Sequence, residues 1–322
     1  MNNKSIKIGL LGIGRMGQNH LRILSMLKYV EICFIYDIAT DAARNIATQY
    51  QVPLSNNLDE DLKKVDGVII VTPTFTHGEY FFKIAPLVKN IFIEKPLAHT
   101  LEMTQKIAHY VSQHNISLQV GFIERYSPAV TALKKAIDNS NTIINMDFTR
   151  TNKISSRITD VDVVLDLMIH DIDLALSLNG DVKQVYAYGC YQNNMIEFAR
   201  AIITHKNGVF STITASRITE KRMRKISATC DNMYIDCNLL SKEVFVNKQS
   251  LEQYLENVSI VSKTETIDVK PREALFLELI DFVELCRGNQ TDFATAQDAL
   301  KAMEIACDIQ SQIKKHHNET AY

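Results

Sequence analysis

Residues 6–27 read "IKIGLLGIGRMGQNHLRILSML", and the change of rhythm inside them decides the fold. Residues 6–12 read as a buried strand, apolar from Ile8 to Leu11 with Lys7 near its start. From Met16 to Leu27 the apolar residues recur at helical spacing. Between the two, Gly12, Gly14 and Gly17 make a G-x-G-x-x-G pattern around Ile13, Arg15 and Met16. Gly12 permits a tight turn, Gly14 lets backbone approach a pyrophosphate, and Gly17 lets the helix lie close to the sheet. The amides of Arg15 and Met16, with the helix dipole behind them, then face the anion. Glycine triplets also arise by chance in loops; the strand before and the helix after give this one its meaning.

The alternation runs on. Residues 30–37, 66–73, 90–96 and 117–121 read as strands, and 41–50, 77–88 and 101–113 as helices. Continuously apolar strands alternating with helices imply a parallel, doubly wound Rossmann sheet covered on both faces. Asp37 ends the second strand about 20 residues past the glycines, where a carboxylate accepts ribose hydroxyls. Ile38, Ala39 and Thr40 offer no Arg or Lys to a 2′-phosphate, so NAD is expected over NADP. The competing reading makes Asp37 a cap for the helix near Asp41. Open α/β sheets bind ligands at the carboxyl ends of their strands. Two stretches there, "VTPTFTH" (71–77) and "EKP" (94–96), add Thr72, Thr74, His77, Glu94 and Lys95 to the expected cofactor contacts. Pro96 restricts Lys95 to extended backbone, giving its ammonium one direction.

After Gly121 the rhythm changes. A helix over 128–138, a strand over 142–150 and a long helical pattern over 160–178 precede consecutive strands at 182–190, 196–205, 208–216, 224–230, 233–239 and 243–247. "HKNG" and "CDN" are hairpin turns. Helices follow at 272–286 and 295–314, and the tail from 314 reads as frayed. The expected architecture is a dinucleotide-binding domain over 1–121, with an α+β domain over 122–322 for substrate binding and oligomerisation. The second domain carries an open, mostly antiparallel sheet with helices on one face.

Composition narrows the function. The chain has 322 residues, 46% of them apolar and 22% charged, and a net charge of −2. It has no electrostatic footprint for nucleic acid or an anionic membrane. The one basic cluster, "KRMRK" (221–225), reads as a solvated strand end, with a phosphate contact as the alternative. Six cysteines without CxxC or paired spacing behave as small hydrophobes in a reducing compartment. No signal peptide and no run of about 20 apolar residues is present, so the expected location is cytoplasmic.

A second stretch bears on chemistry: "DVVLDLMIHDID" (162–173) spaces Asp162, Asp166, His170 and Asp173 by four, four and three. On a helix these fall on one face, while Asp171 lies off the stripe and reads as surface. A metal site is the competing reading, but it lacks further ligands and no metal is expected. The other alternative is an amphipathic helix with a solvated acidic face and a satisfied histidine.

Taken together, "GIGRMGQNH", "TPTFTH", "EKPLAHT", "GFIERYSPAV" and "LDLMIHDIDL" resemble, in order and spacing, the Gfo/Idh/MocA family of NAD(P)-dependent sugar and polyol oxidoreductases. The resemblance spans nearly the whole chain. It implies catalytic roles for Lys95, Asp166 and His170, with the Asp–His face turned toward the nicotinamide. Met168 stands where many members have glycine, which bears on substrate choice more than on chemistry. Glu124, Arg125, Tyr126, Arg157 and Asp160 match stretches in a subgroup similar to UDP-N-acetylglucosamine 3-dehydrogenases. That subgroup implies a nucleotide-sugar substrate oxidised at C3 to a keto sugar. Arg125, Tyr126, Arg157 and Asp173 are then the candidate substrate contacts, though both arginines also suit surface ion pairs. A free polyol or inositol, or a nucleotide-linked uronic acid, is the alternative substrate; a non-catalytic NAD and sugar sensor is the rival from another class. The resemblance further implies a homodimer or homotetramer.

Overall fold

The first third folds as its apolar runs dictate. The computed structural model describes residues 5–138, 142–153, 161–192, 194–254 and 257–320. Two compact units result: residues 1–123 with 274–301, and residues 124–273 with 302–322.

In the first unit β1 (Ile6–Leu11), β2 (Val30–Tyr36), β3 (Gly67–Ile70), β4 (Asn90–Glu94) and β5 (Ser117–Gly121) form a sheet in the order β2-β1-β3-β4-β5. Every neighbouring pair is parallel. Such pairing needs crossovers, supplied by α1 (Arg15–Met26), α2 (Thr40–Tyr50), the short α3 (Leu58–Leu62), α4 (His77–Ile84) and α5 (Leu101–His114). The order reverses between β1 and β3, which sets a ligand crevice at their carboxyl ends. Ile8, Leu10, Leu21, Leu24 and Phe92 pack in the core beneath this edge.

The same core takes Leu275, Leu279, Phe282 and Val283 from α8 (Ala274–Cys286). A single boundary after residue 121 misses this return of residues 274–301 to the first unit. The physical reason is the apolar stripe of α8: the Phe282 ring sits edge-on to Phe92, 5.8 Å between centroids. Each such side chain contributes about 1.5–3 kcal/mol on burial.

The second unit holds α6 (Pro128–Ile137), β6 (Ile143–Thr151), α7 (Ile169–Asn179), β7 (Val182–Gln192), β8 (Met195–His205), β9 (Phe210–Ser216), β10 (Met223–Cys230), β11 (Met233–Asn238), β12 (Glu243–Tyr254) and β13 (Asn257–Ile267). The sheet order is β13-β12-β11-β10-β6-β9-β8-β7, with β6 and β9 parallel and the other pairs antiparallel. The β12–β13 ladder extends well past the strand expected at 243–247. Its outer stretch is polar and exposed from Ser262 to Thr266, so it carries no apolar alternation for a reader to find. The last helix, α9 (Ala296–Thr320), continues to Thr320, into the tail expected to fray. There His316 stacks on Tyr188 and His317 on Tyr191, each pair with centroids 4.5 Å apart. Cys33, Cys190, Cys230, Cys237, Cys286 and Cys307 are all free thiols. Burial pushes Cys33 up to about 11 and Cys237 up to about 12.

Candidate active site

The glycine loop is shaped by backbone contact. Gly12 sits at φ +89, and a Cβ there would lie 2.5 Å from the Val71 carbonyl oxygen. A Cβ on Gly17 would come within 1.9 Å of the Gly12 oxygen, so only glycine lets α1 start this close to β1. At Gly14 a Cβ would meet no protein atom within 4 Å. Gly14 lies instead on the wall of a cavity of about 600 Å³, and its backbone precedes an α1 terminus with no capping side chain and no acidic residue in its first turn. Room at the glycine and open amides at the helix start suit a phosphate group.

Asp37 ties this loop to the end of β2. Its Oδ2 accepts the Ile13 N–H at 2.7 Å and its Oδ1 accepts the Ala39 N–H at 2.8 Å. It does not cap α2, whose N-cap residue is Ala39. Each oxygen keeps accepting capacity for a hydroxyl. The cavity is lined by ten of the expected cofactor residues: Gly12, Gly14, Arg15, Met16, Asp37, Thr72, Thr74, His77, Glu94 and Lys95. Ile13 and Gly17 do not line it; Ile13 is buried in the core, and Gly17 is packed against the loop backbone. Sequence reasoning missed Tyr36, Ile38, Phe75 and Tyr80 on the wall. The Tyr36 and Tyr80 rings meet edge-on at 6.1 Å, and burial, with Tyr36 alongside, pushes the Tyr80 phenol up to about 12. Ile38 and Phe75 remain 81% and 66% exposed, apolar surface of the kind a flat aromatic base would cover. The residues lining the cavity are a donor set that a dinucleotide would fit.

Two buried histidines brace the wall. His77 sets Nε2 at 2.9 Å from the Thr72 oxygen and Nδ1 at 3.0 Å from the Pro96 oxygen, joining the loops that follow β3 and β4. Burial holds its imidazole below the ordinary value, against two carbonyls that favour the charged ring. His20, on α1, puts Nε2 at 2.8 Å from Glu94 Oε1, while Glu94 Oε2 accepts the Lys95 N–H at 3.2 Å. The half-buried Lys95, joined to Pro96 by a cis peptide, thus follows a carboxylate fixed from two sides. The "GQNH" motif held the signal for His20, because a histidine on the apolar face of α1 needs a polar partner.

In the second unit the expected stripe breaks up. Residues Val164–Met168 form a π-helical turn, the Ile169 N–H donating to the Val164 oxygen, before α7 begins. Wide turns of this kind recur at functional sites. Asp162 precedes the turn and caps it: its Oδ1 accepts the Val164 and Leu165 N–H groups, and its Oδ2 accepts Gln310 Nε2 at 2.8 Å. Asp166 lies within the turn and His170 in the first turn of α7, both half-buried. Asp166 Oδ2 is 3.8 Å from Nη1 of the buried Arg217, a neighbour the sequence reading missed.

Asp173 is buried and accepts a two-pronged bond from Arg125, Nε to Oδ2 at 2.7 Å and Nη2 to Oδ1 at 2.6 Å. Arg125 is therefore in an ion pair, with a buried carboxylate rather than at the surface as the alternative reading had it, while Tyr126 beside it in sequence is half-buried. Asp171 corrects the surface reading. It is 2% exposed and forked by Arg150 from β6, with bonds of 2.7 and 2.8 Å. Arg150 also reaches Glu124 at 2.6 Å. Burial opposes the Arg150 charge, but Asp171 and Glu124 overcome it and raise the guanidinium above its ordinary value. Within "KRMRK", Arg224 turns toward Glu124 at 3.4 Å, while Lys221 and Arg222 are exposed. Arg157 and Asp160 lie outside the described residues. No group of three or more His, Cys, Asp or Glu side chains suited to a metal occurs among the described residues.

Two family models match the chain. One, described as an oxidoreductase family with an NAD-binding Rossmann fold, covers residues 6–122, and the other, a GFO/IDH/MocA C-terminal domain, covers residues 144–235. A UDP-N-acetylglucosamine 3-dehydrogenase of Acidithiobacillus ferrooxidans is 24% identical over 96% of this chain and 97% of its own. A scyllo-inositol 2-dehydrogenase (NAD(+)) of Bacillus subtilis is 28% identical over 93% of this chain and 92% of its own. The solved structure of the Acidithiobacillus ferrooxidans enzyme superimposes with a TM-score of 0.86 at 24% identity, covering 97% of this chain and 98% of that one, a likeness of fold. The glycine loop, Asp37 and the parallel sheet define an NAD-dependent oxidoreductase. The chain belongs to the Gfo/Idh/MocA family. No helix among the described residues is long and apolar enough to cross a membrane.

Proposed function

We propose that this chain oxidises a secondary alcohol of a sugar to a ketone, with C3 of the hexosamine ring of UDP-N-acetylglucosamine as the substrate position. The carrying observation is that Lys95 lines the same cavity as the glycine loop and Asp37. Similarity over nearly the full length of a UDP-N-acetylglucosamine 3-dehydrogenase supports the sugar. Bound NAD supplies the hydride acceptor.

Oxidation also removes a proton from the hydroxyl oxygen. His170 accepts that proton, a task suited to an imidazole near neutrality. Asp166 orients the ring and stabilises the imidazolium. The Lys95 ammonium stabilises negative charge developing on the substrate oxygen. Tyr126 contacts the sugar. Arg125 and Asp173, locked together, shape that surface as a pair.

A free polyol is the second reading, favoured by the match to the scyllo-inositol enzyme. A panel of UDP-sugars, UDP-sugar uronates and inositols, read by NADH absorbance, separates the two. Turnover of UDP-N-acetylglucosamine above all others supports the proposal; turnover of inositols alone replaces it, and NAD binding without any turnover leaves a sensor. We further propose a cytoplasmic homodimer or homotetramer built on the sheet face bearing Tyr186, Tyr188 and Ile202, all exposed. Light scattering of the pure chain tests the assembly.

A further inference from the structure

We infer that Arg217 is a positioning residue for Asp166. The inference rests on the proposed roles of Asp166 and His170 in turnover. Arg217 follows β9 directly, and its side chain is 4% exposed. Burying a guanidinium demands partners on every side. Its Nε donates to Glu197 Oε2 at 2.9 Å and its Nη2 reaches Glu197 Oε1 at 3.3 Å. The same Nη2 donates to the Val161 carbonyl at 2.9 Å, and the Arg217 backbone N–H donates to the Glu197 oxygen at 2.9 Å. The remaining nitrogen, Nη1, faces Asp166 Oδ2 at 3.8 Å.

The arrangement has a mechanical reading. A π-helical turn does not inherit side-chain directions from regular α-helical spacing, so the direction of Asp166 needs outside support. One planar fork, anchored on Glu197, meets the segment at two points: the carbonyl of Val161 before the turn and the carboxylate within it. At 3.8 Å the second contact is an ion pair rather than a hydrogen bond, effective because both groups are largely shielded from water. Lysine at 217 would keep the charge but lose the fork, and with it one of the two holds.

The test is a double-mutant cycle in steady state on the sugar that the panel identifies, with NAD affinity measured separately by calorimetry. R217Q is expected to lower kcat by about 10- to 100-fold, the cost of a misplaced catalytic group. NAD affinity should stay unchanged, and R217K should recover part of the loss. R217Q added to D166N should cost little more than D166N alone, because the arginine acts through that carboxylate. The variant R217Q/E197Q removes the buried carboxylate with its cation and keeps the test valid if R217Q alone fails to fold. Wild-type kcat in R217Q or in R217Q/E197Q overturns the inference, as does full additivity with D166N. Full activity of D166N itself overturns the parent reading, and this inference with it.

Discussion

Gly14→Ala separates a glycine kept for its ligand from glycines kept for the fold. Gly14 has φ −66, which alanine adopts freely, and its Cβ would meet no protein atom within 4 Å. The folded chain should therefore tolerate the methyl and gain ~0.4–1 kcal/mol from a less flexible unfolded state. The methyl projects at the cavity wall where the pyrophosphate is expected, and overpacking there costs ~1–3 kcal/mol. That corresponds to NAD affinity lower by roughly 5- to 150-fold. Gly17→Ala should do the reverse: its Cβ would lie 1.9 Å from the Gly12 carbonyl oxygen, so the loop and α1 must part and stability falls. Urea denaturation of the cofactor-free protein gives the first quantity, and calorimetric titration with NAD the second. The reasoning is refuted if Gly14→Ala unfolds as early as Gly17→Ala, or binds NAD as tightly as the wild type.

Three further outcomes follow from packing and charge. Arg150→Ala strands the buried Asp171 carboxylate and leaves Glu124 with its longer Arg224 contact, and should cost ~3–5 kcal/mol in urea denaturation; a loss under ~1 kcal/mol would show that the network contributes little. Phe282→Ala removes an α8 ring from the core of the first unit and should cost ~3–5 kcal/mol; an unchanged transition would detach α8 from that core. Burial holds His205 and His77 below the ordinary histidine value, so the unfolded chain binds more protons than the folded one just below pH ~6.5. Stability should fall as pH drops through that window toward the depressed folded-state values. His205→Gln should flatten the slope by up to ~1.4 kcal/mol per pH unit. An identical slope in the variant would remove His205 from the account.

The nucleotide-binding half was legible because its signals are local. Gly12, Gly14 and Gly17 sit within six residues, between a strand and a helix whose periodicities differ. Asp37 and Lys95 each stand at a strand end, a place that the alternation of elements locates. What stayed hidden depends on contacts between distant residues. The pairing of Asp171 with Arg150 joins residues 21 apart through the underside of a sheet, and it inverted the reading of Asp171 as surface. The π-helical turn at Val164–Met168 leaves no mark in the sequence, where Asp162, Asp166 and His170 keep a spacing of four, so the stripe looked continuous while Asp162 became a cap and Asp173 a partner of Arg125. The return of α8 to the first unit follows from its apolar face finding Phe92. The stretch of β13 from Ser262 to Thr266 is polar and exposed and so left no pattern.

The most direct test of the central claim is the rate of NADH formation by Lys95→Ala and His170→Ala on the identified sugar, with the NAD dissociation constant of each measured alongside. The account predicts that both lose ~10²-fold or more in turnover, with NAD binding held in His170→Ala. Near-full activity in either variant would contradict it.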